Sequence, residues 1–211
     1  MKKNVSIIIF AHDNIDYTVN TVTSLLQNTT SHSTYNYNFN LYDDCSTDNT
    51  ESYFKANFKN INYLRQSKNK GFNYLCNLAY SNNKSSDFLV LLNNDLKFSN
   101  NWLNILLDEM ISNNAKASGP ITNSPGHQKR QNIRKFINNY QIDDNDIAIN
   151  KMSELLKNKK SFTAKYINGF CMVYDIKWLN TLFEPIFKYQ DLNFGLEDNF
   201  FKINTCKPLI V

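Results

Sequence analysis

Glycine is scarce in this chain, with five among 211 residues and none before Gly71. A glycine-rich loop that cradles phosphate needs closely spaced glycines so that the backbone can approach the ligand. Such a loop is excluded after the first apolar run, which ends in His12-Asp13-Asn14. Long apolar runs are also missing. None approaches the roughly 20 residues that cross a bilayer, so membrane contact by these residues would be peripheral. The stretch Val5 to Ala11 behind Met1-Lys2-Lys3 imitates a secretory leader, but it is short and has no small-residue cleavage site. It reads as a first strand. The four cysteines, Cys45, Cys76, Cys171 and Cys206, have no paired metal or redox spacing. Reduced thiols in a cytoplasmic protein are expected. Positive charge is neither strong nor concentrated: the net charge is +4, and the basic clusters are Lys129-Arg130 with Arg134-Lys135, and Lys157 with Lys159-Lys160. That pattern speaks against a nucleic-acid partner. The clusters read as solvated faces, or as a surface for a phosphorylated acceptor or anionic lipid headgroups. No internal repeat is visible.

What is present suits one core. A content of 42% hydrophobic and 14% aromatic residues lets a chain of this length bury one, in a single domain or a tight pair. Short β-type runs, Val5–Phe10, Asn38–Tyr42, Ile61–Leu64 and Phe88–Leu92, alternate with helix-length segments near 16–28, 48–58 and 71–82. Such alternation implies βαβ crossovers and a mostly parallel sheet. After the fourth run, Ser99 suits a helix cap, and Trp102, Leu103, Leu106, Leu107, Met110 and Ile111 keep the spacing of a core-facing stripe. Residues 122–161 then form a long excursion with one or two helices, of the kind that is usually functional. The sheet returns near Thr163 to Tyr174, a short helix follows around Ile176 to Phe183, and Leu209-Ile210-Val211 reads as a last strand.

The chemistry collects at strand ends. Phe88 to Leu92 delivers Asn93-Asn94-Asp95 to the C-terminal edge, where open α/β sheets bind ligands. A carboxylate there has two ordinary uses, capping the next helix or holding a hard divalent cation. Phe10-Ala11-His12-Asp13-Asn14 and Asp43-Asp44-Cys45-Ser46-Thr47-Asp48-Asn49-Thr50 reach the same edge. Asp44 suits a hydrogen bond from a base-ring N–H with His12 or Phe10 stacked on the ring, while Ser46, Thr47 or Asp48 starts the next helix. For His12 a purely local hydrogen bond is the competing use. In Asn69-Lys70-Gly71-Phe72-Asn73 the glycine permits close backbone approach or positive φ. Lys68 or Lys70 is placed to offset diphosphate charge.

The ordered set closes with Asn168-Gly169-Phe170-Cys171-Met172 and Gly195-Leu196-Glu197-Asp198. Over residues 4–211 it resembles the inverting nucleotide-sugar glycosyltransferases of family 2, with the GT-A fold. The resemblance implies a Rossmann-like, mostly parallel central sheet flanked by helices, with a smaller acceptor-side part in the second half. It divides one domain, 1–211, into a nucleotide-sugar half, 1–98, and an acceptor and catalytic half, 99–211. By it, Phe10, His12 and Asp44 hold the base, Gly71 and Asn73 close over the donor, and Asn94 lies near the ribose or sugar. Asp95 matches the last position of the family's Asp-x-Asp motif, binding Mn2+ or Mg2+ on the donor diphosphate. Asn93 stands where the first carboxylate belongs, and Asn-Asn-Asp resembles the rhamnosyltransferase-like members. Asp198 matches the general base, with Glu197 and the Asn168, Gly169, Phe170 segment orienting the acceptor. For Glu197 and Asp198 the alternative is stabilisation of a helix N-terminus.

The implied activity is metal-assisted transfer of a sugar from a UDP- or dTDP-sugar to a hydroxyl of a glycan or lipid-linked acceptor, as in polysaccharide biosynthesis. Many relatives carry a metal-completing His beyond the acidic pair, and none follows here, so the chain is expected to be the catalytic core of a longer protein. Two alternatives remain. One is a non-catalytic nucleotide-sugar or glycan-binding domain of a larger polymerase, favoured by Asn93. The other is a sugar-nucleotide pyrophosphorylase, which the missing glycine-rich loop disfavours.

Overall fold

A computed structural model of the chain describes residues 1–30, 32–124, 131–136, 146–156, 160–162, 167–182, 187 and 209–210. The first half follows strict βα alternation. It comprises β1 (Lys3–Ala11), α1 (Ile15–Asn28), β2 (Tyr35–Asp43), α2 (Thr50–Asn57), β3 (Asn62–Arg65), α3 (Phe72–Asn82), β4 (Phe88–Leu92) and α4 (Trp102–Ser112). Then come β5 (Ala117–Ser118), β6 (Pro120–Ile121), a 3-10 turn at Ile133–Lys135, α5 (Asp146–Leu156), β7 (Cys171–Asp175), α6 (Ile176–Leu179) and β8 (Leu209–Ile210).

The main sheet has the order β3-β2-β1-β4-β7-β5. Its first four strands are mutually parallel, whereas β7 runs antiparallel to both β4 and β5. Strand order therefore reverses between β1 and β4, which opens a crevice above their C-terminal ends. β6 pairs in parallel with β8 to form a separate two-stranded sheet.

Burial explains the strand sequences. β4 is buried at all five positions and reads as a continuous apolar run because helices cover both faces. β1 likewise carries Ile7, Ile8 and Ile9 at 0% exposure. β2 begins at Tyr35, before the expected Asn38, because its first half alternates Tyr35, Tyr37 and Phe39 with Asn36, Asn38 and Asn40. Alternation of that kind marks a half-covered strand with no apolar run to announce it.

One face packs Trp102, Leu103, Leu106, Leu107 and Met110 of α4 and Val22 and Leu25 of α1 beneath the sheet. The other packs Leu75, Cys76, Ala79 and Tyr80 of α3 with Ile176 and Leu179 of α6. Ile111 departs from the expected stripe and is exposed. Ser99 does not cap α4. The cap position is Asn101 in the left-handed region, and the buried Ser99 hydroxyl has no hydrogen-bond partner among the described residues. In the excursion, α5 lies over Ile121 and Ile133 through Met152 and Leu156. Residues 163–166, where the sheet was expected to return, lie outside the described residues.

The turn after β2 is held by a buried carboxylate. Asp43, at 0% exposure, accepts from the Ser46 amide at 2.8 Å, the Ser46 hydroxyl at 2.5 Å and the Tyr63 phenol. Burial first, then the neighbouring Asp43 carboxylate, pushes the Tyr63 pKa well up, so the phenol stays a donor. Arg65 lies 3.5 Å from Asp43 and 3.2 Å from Glu51, and donates to the Ser46 carbonyl at 2.7 Å. Removing one partner of a buried charge cluster leaves the others uncompensated. Asp43→Ala is therefore expected to lower unfolding stability by about 3 to 5 kcal/mol, read from urea denaturation. An unchanged midpoint would refute this account of the turn.

Candidate functional site

Four loops leave the C-terminal ends of β1 to β4 and are tied to one another before any ligand enters. The loop after β1 places Asp13 and Asn14 at positive φ. This aims the Asp13 amide at Ser46 Oγ, 2.9 Å away, and Asp13 Oδ1 at the Thr47 amide, 2.6 Å away. Asp48 completes the lock: Oδ2 accepts from the Ile15 amide at 3.0 Å, while Oδ1 accepts from the Thr50 amide at 3.0 Å and its hydroxyl at 2.5 Å. None of Ser46, Thr47 and Asp48 takes the cap position of α2, which is Asn49; Asp48 stands one residue before it and accepts from Thr50, the first residue of the helix. The Thr47 amide draws the Asp13 pKa below its ordinary value. Burial pushes Asp48 up, but hydrogen bonds from Thr50 and Ile15 outweigh it and leave its pKa lowered.

Asp44, 4% exposed, turns the other way. Its Oδ1 accepts from the Lys70 amide at 2.7 Å and its Oδ2 from the Gly71 amide at 2.8 Å. The carboxylate thus holds the loop after β3, and each oxygen keeps one further acceptor site. Gly71 has φ +83 and ψ 161, which side-chain-bearing residues rarely adopt. The positive-φ requirement, rather than close approach, explains the glycine, since a Cβ there would meet nothing within 4 Å.

Phe10 and His12 part company. Phe10 is 6% exposed and packs edge-on against Phe72 and Tyr42, with centroids 5.2 and 6.4 Å away. It is a core residue, and of the two rings His12 faces solvent. His12 Nε2 lies 3.1 Å from Asn69 Nδ2, joining the loops after β1 and β3. Among the acceptors, Asn73 Oδ1 is buried without a partner among the described residues.

The segment after β4 runs back beside α1 in the same direction as the helix. Three buried hydroxyls hold it: Thr18 accepts from Asn94 Nδ2 at 2.9 Å, Thr21 from the Leu96 amide at 2.8 Å and Ser24 from the Phe98 amide at 3.0 Å. Alternate residues face the helix, so Asp95 and Lys97 face outward and are exposed. Asn93 donates its amide to the Phe170 carbonyl at 2.9 Å, which brings the Asn168, Gly169, Phe170 segment to the crevice. Asn168 donates its amide to Gln131 Oε1 at 2.8 Å, and the fully buried Gln131 reaches the Pro120 carbonyl at 2.7 Å. Gly119 makes room beneath them, since a Cβ there would lie 2.2 Å from Ile167 Cγ2.

With this edge in view, the family model described as glycosyl transferase family 2 matches residues 6–183. The chain belongs to glycosyl transferase family 2. Its fold is similar to that of the mannosyltransferase PcManGT from Pyrobaculum calidifontis in complex with GDP-Man and Mn2+. The TM-score is 0.65 at 11% identity, over 100% of this chain and 55% of that one. It is also similar to S. aureus TarS 1-349 in complex with UDP-GlcNAc, with a TM-score of 0.63 at 14% identity over 99% of this chain and 56% of that one. The chain spans just over half the length of these structures. The likeness establishes the GT-A fold. No curated protein matches the chain.

In this family 2 chain the structure gathers His12, Asp44, Gly71, Asn73, Asn93, Asn94, Asp95 and the 168–170 segment at one sheet edge. Glu197 and Asp198 lie outside the described residues. Sequence reading missed Thr18, Thr21 and Ser24. The signal was hydroxyls interleaved with Val22 and Leu25 on the buried face of α1. It also missed Asn77 of α3, which donates to the Phe187 carbonyl at 2.6 Å and accepts from the Phe187 amide at 3.0 Å.

Gly71→Ala is expected to cost about 1 to 3 kcal/mol of backbone strain without any steric clash, measured by urea denaturation. Acid acts on the first lock. Asp13 and Asp48 both have folded pKa values below the ordinary 3.8, so their contribution is present above that value and lost as pH falls below it. The amide signals of Ile15 and Thr47 should move together on titration from about pH 5 to about pH 2. Signals that stay put would show that neither carboxylate holds the loops.

Proposed function

We propose that this chain is a metal-assisted inverting glycosyltransferase that moves a sugar from a UDP- or dTDP-sugar to a hydroxyl of a glycan or lipid-linked acceptor. The observation that carries the reading is the family match over residues 6–183. The solved structures similar to it hold GDP-Man with Mn2+ in one case and UDP-GlcNAc in the other, which supports a nucleoside-diphosphate sugar as donor.

On this reading the crevice between β1 and β4 takes the donor. The exposed His12 ring covers the base, and the Asp44-held loop brings Gly71 and Asn73 over the diphosphate and sugar. Asn73 Oδ1, buried without a partner among the described residues, supports a polar ligand at that point, since an N–H or O–H from the donor would relieve an acceptor whose burial unpaired costs about 1 to 3 kcal/mol. Asn93 and Asn94 flank the ribose and sugar.

Asp95 fits a divalent ion in one specific sense. Among the described residues no three His, Cys, Asp or Glu side chains gather into a metal cage. Magnesium-type ions are commonly held by one or two carboxylates plus substrate phosphates and water, and an exposed carboxylate at the crevice meets that requirement. Mn2+ or Mg2+ there would neutralise charge on the departing diphosphate.

For the transfer itself, Asp198 takes the proton of the acceptor hydroxyl as its oxygen bonds to the anomeric carbon. The bond from that carbon to the diphosphate oxygen breaks on the opposite face. Glu197 and the 168–170 segment orient the acceptor. A positioned base of this kind contributes about 10² to 10⁴ in rate. Residues 1–98 then serve as the nucleotide-sugar half and 99–211 as the acceptor half of a cytoplasmic protein, and any membrane contact made by these residues would be peripheral. Among the described residues no helix is long and apolar enough to cross a membrane.

Titration calorimetry with UDP-, dTDP- and GDP-sugars, with and without Mn2+, tests the donor site. Metal-dependent binding of one nucleotide class, lost in Asp95→Ala, is expected. Asp198→Asn should bind that donor normally and lose turnover by at least about 10²-fold. Donor binding without turnover in the unaltered chain would favour a binding domain over an enzyme.

A further inference from the structure

Asp95 is bracketed. On its N-terminal side, the Asn94 side chain is tied to Thr18, which is 0% exposed and itself donates to the Asn14 carbonyl at 3.4 Å. On its C-terminal side, the peptide unit joining Asp95 to Leu96 hangs on Thr21, 1% exposed, through the Leu96 amide. That peptide plane sets ψ of Asp95, and the fixed amide of Asn94 sets the chain position before it. The carboxylate itself is exposed, with no ion pair in the described set. The backbone that carries it is therefore held by the two threonines rather than by contacts of the carboxylate.

We propose that Thr18 and Thr21 are positioning residues for Asp95: buried hydroxyls on α1 aim the carboxylate into the crevice, where it takes a divalent cation. The inference rests on the reading of Asp95 as the metal-binding residue. The motif makes the aim matter. With an asparagine at position 93, the Asn93-Asn94-Asp95 segment has one carboxylate, so no second acidic ligand is present in it to compensate for a misdirected first. Ser24 forms the third rung at Phe98, three residues beyond Asp95, and supplies an internal comparison. It is 4% exposed and makes the same kind of bond, yet it does not touch either peptide flanking Asp95.

The experiment is Mn2+ binding to the full chain, followed by electron paramagnetic resonance in the presence of UDP, dTDP or GDP, with thermal melting run in parallel. Thr21→Val keeps the shape and removes the acceptor. It should weaken Mn2+ binding by about 10- to 100-fold, the usual effect of losing a group that orients a metal ligand, while metal-free nucleotide affinity is unchanged. Thr21→Ser should restore Mn2+ binding. Ser24→Ala should lower the melting temperature without changing Mn2+ affinity. If Thr21→Val fails to fold, Thr18→Val, which frees the Asn94 side chain, carries the same expectation. Native Mn2+ affinity in a folded Thr21→Val or Thr18→Val chain, or an equal loss in Ser24→Ala, overturns the inference. Native affinity in Asp95→Ala overturns instead the reading on which it rests.

Discussion

The site depends on how two adjacent carboxylates at the end of β2 are disposed. Successive residues of a strand face opposite ways, so Asp43 turns inward to Ser46, Tyr63 and Arg65, while Asp44 turns to the amides of Lys70 and Gly71. A buried carboxylate without partners is too costly to persist. Each therefore draws a separate loop to itself. Asp43 closes the turn toward α2 and fastens the edge strand β3, and Asp44 fastens the loop that opens α3. The crevice walls take their shape from donors supplied to these two groups, and the positive φ of Gly71 follows from it, as the amide must point at Asp44.

A second set of polar contacts, from α1, fixes the opposite wall. Helices that cover sheets usually present apolar stripes, and Val22 and Leu25 do so here. Thr18, Thr21 and Ser24 occupy the same face because the segment after β4 brings unpaired amides there. Buried backbone amides need acceptors, and short hydroxyl side chains supply them without opening a gap. Fold and site share these atoms. The covering helix thus satisfies the backbone of the segment that carries Asp95.

Much of this was legible from residues alone. The buried strands β1 and β4 announce themselves as apolar runs, and the acidic or amide clusters follow them directly, so the shared edge and the mostly parallel sheet could be read off. Where the reading differed from the structure, the reasons are physical. An aromatic at a strand end looks the same whether it faces core or crevice, and Phe10 faces core. Ser99 has the chemistry of a cap, but Asn101 takes the position in a left-handed conformation that sequence does not display. Threonines on a helix resemble surface residues until the segment they bond is known. The start of β2 is hidden because its aromatic-and-asparagine alternation carries no apolar run. Glu197 and Asp198 rest on the family resemblance, outside the described residues.

The placement of β7 has a consequence for synthesis. β4 is a central strand, yet its second neighbour is supplied only by residues 171–175, and β5, at 117–118, has β7 as its strand partner. A nascent chain emerging as far as residue 98 can pair β3, β2, β1 and β4, leaving the wholly apolar β4 with a bare hydrogen-bonding edge. About eighty further residues, made at roughly 5 to 20 per second, separate that moment from the arrival of β7. For those seconds β4 is a bare, uncharged, apolar edge of the kind on which chains pair with one another. The same strand that delivers Asp95 is thus the one most in need of shielding while the chain is being made.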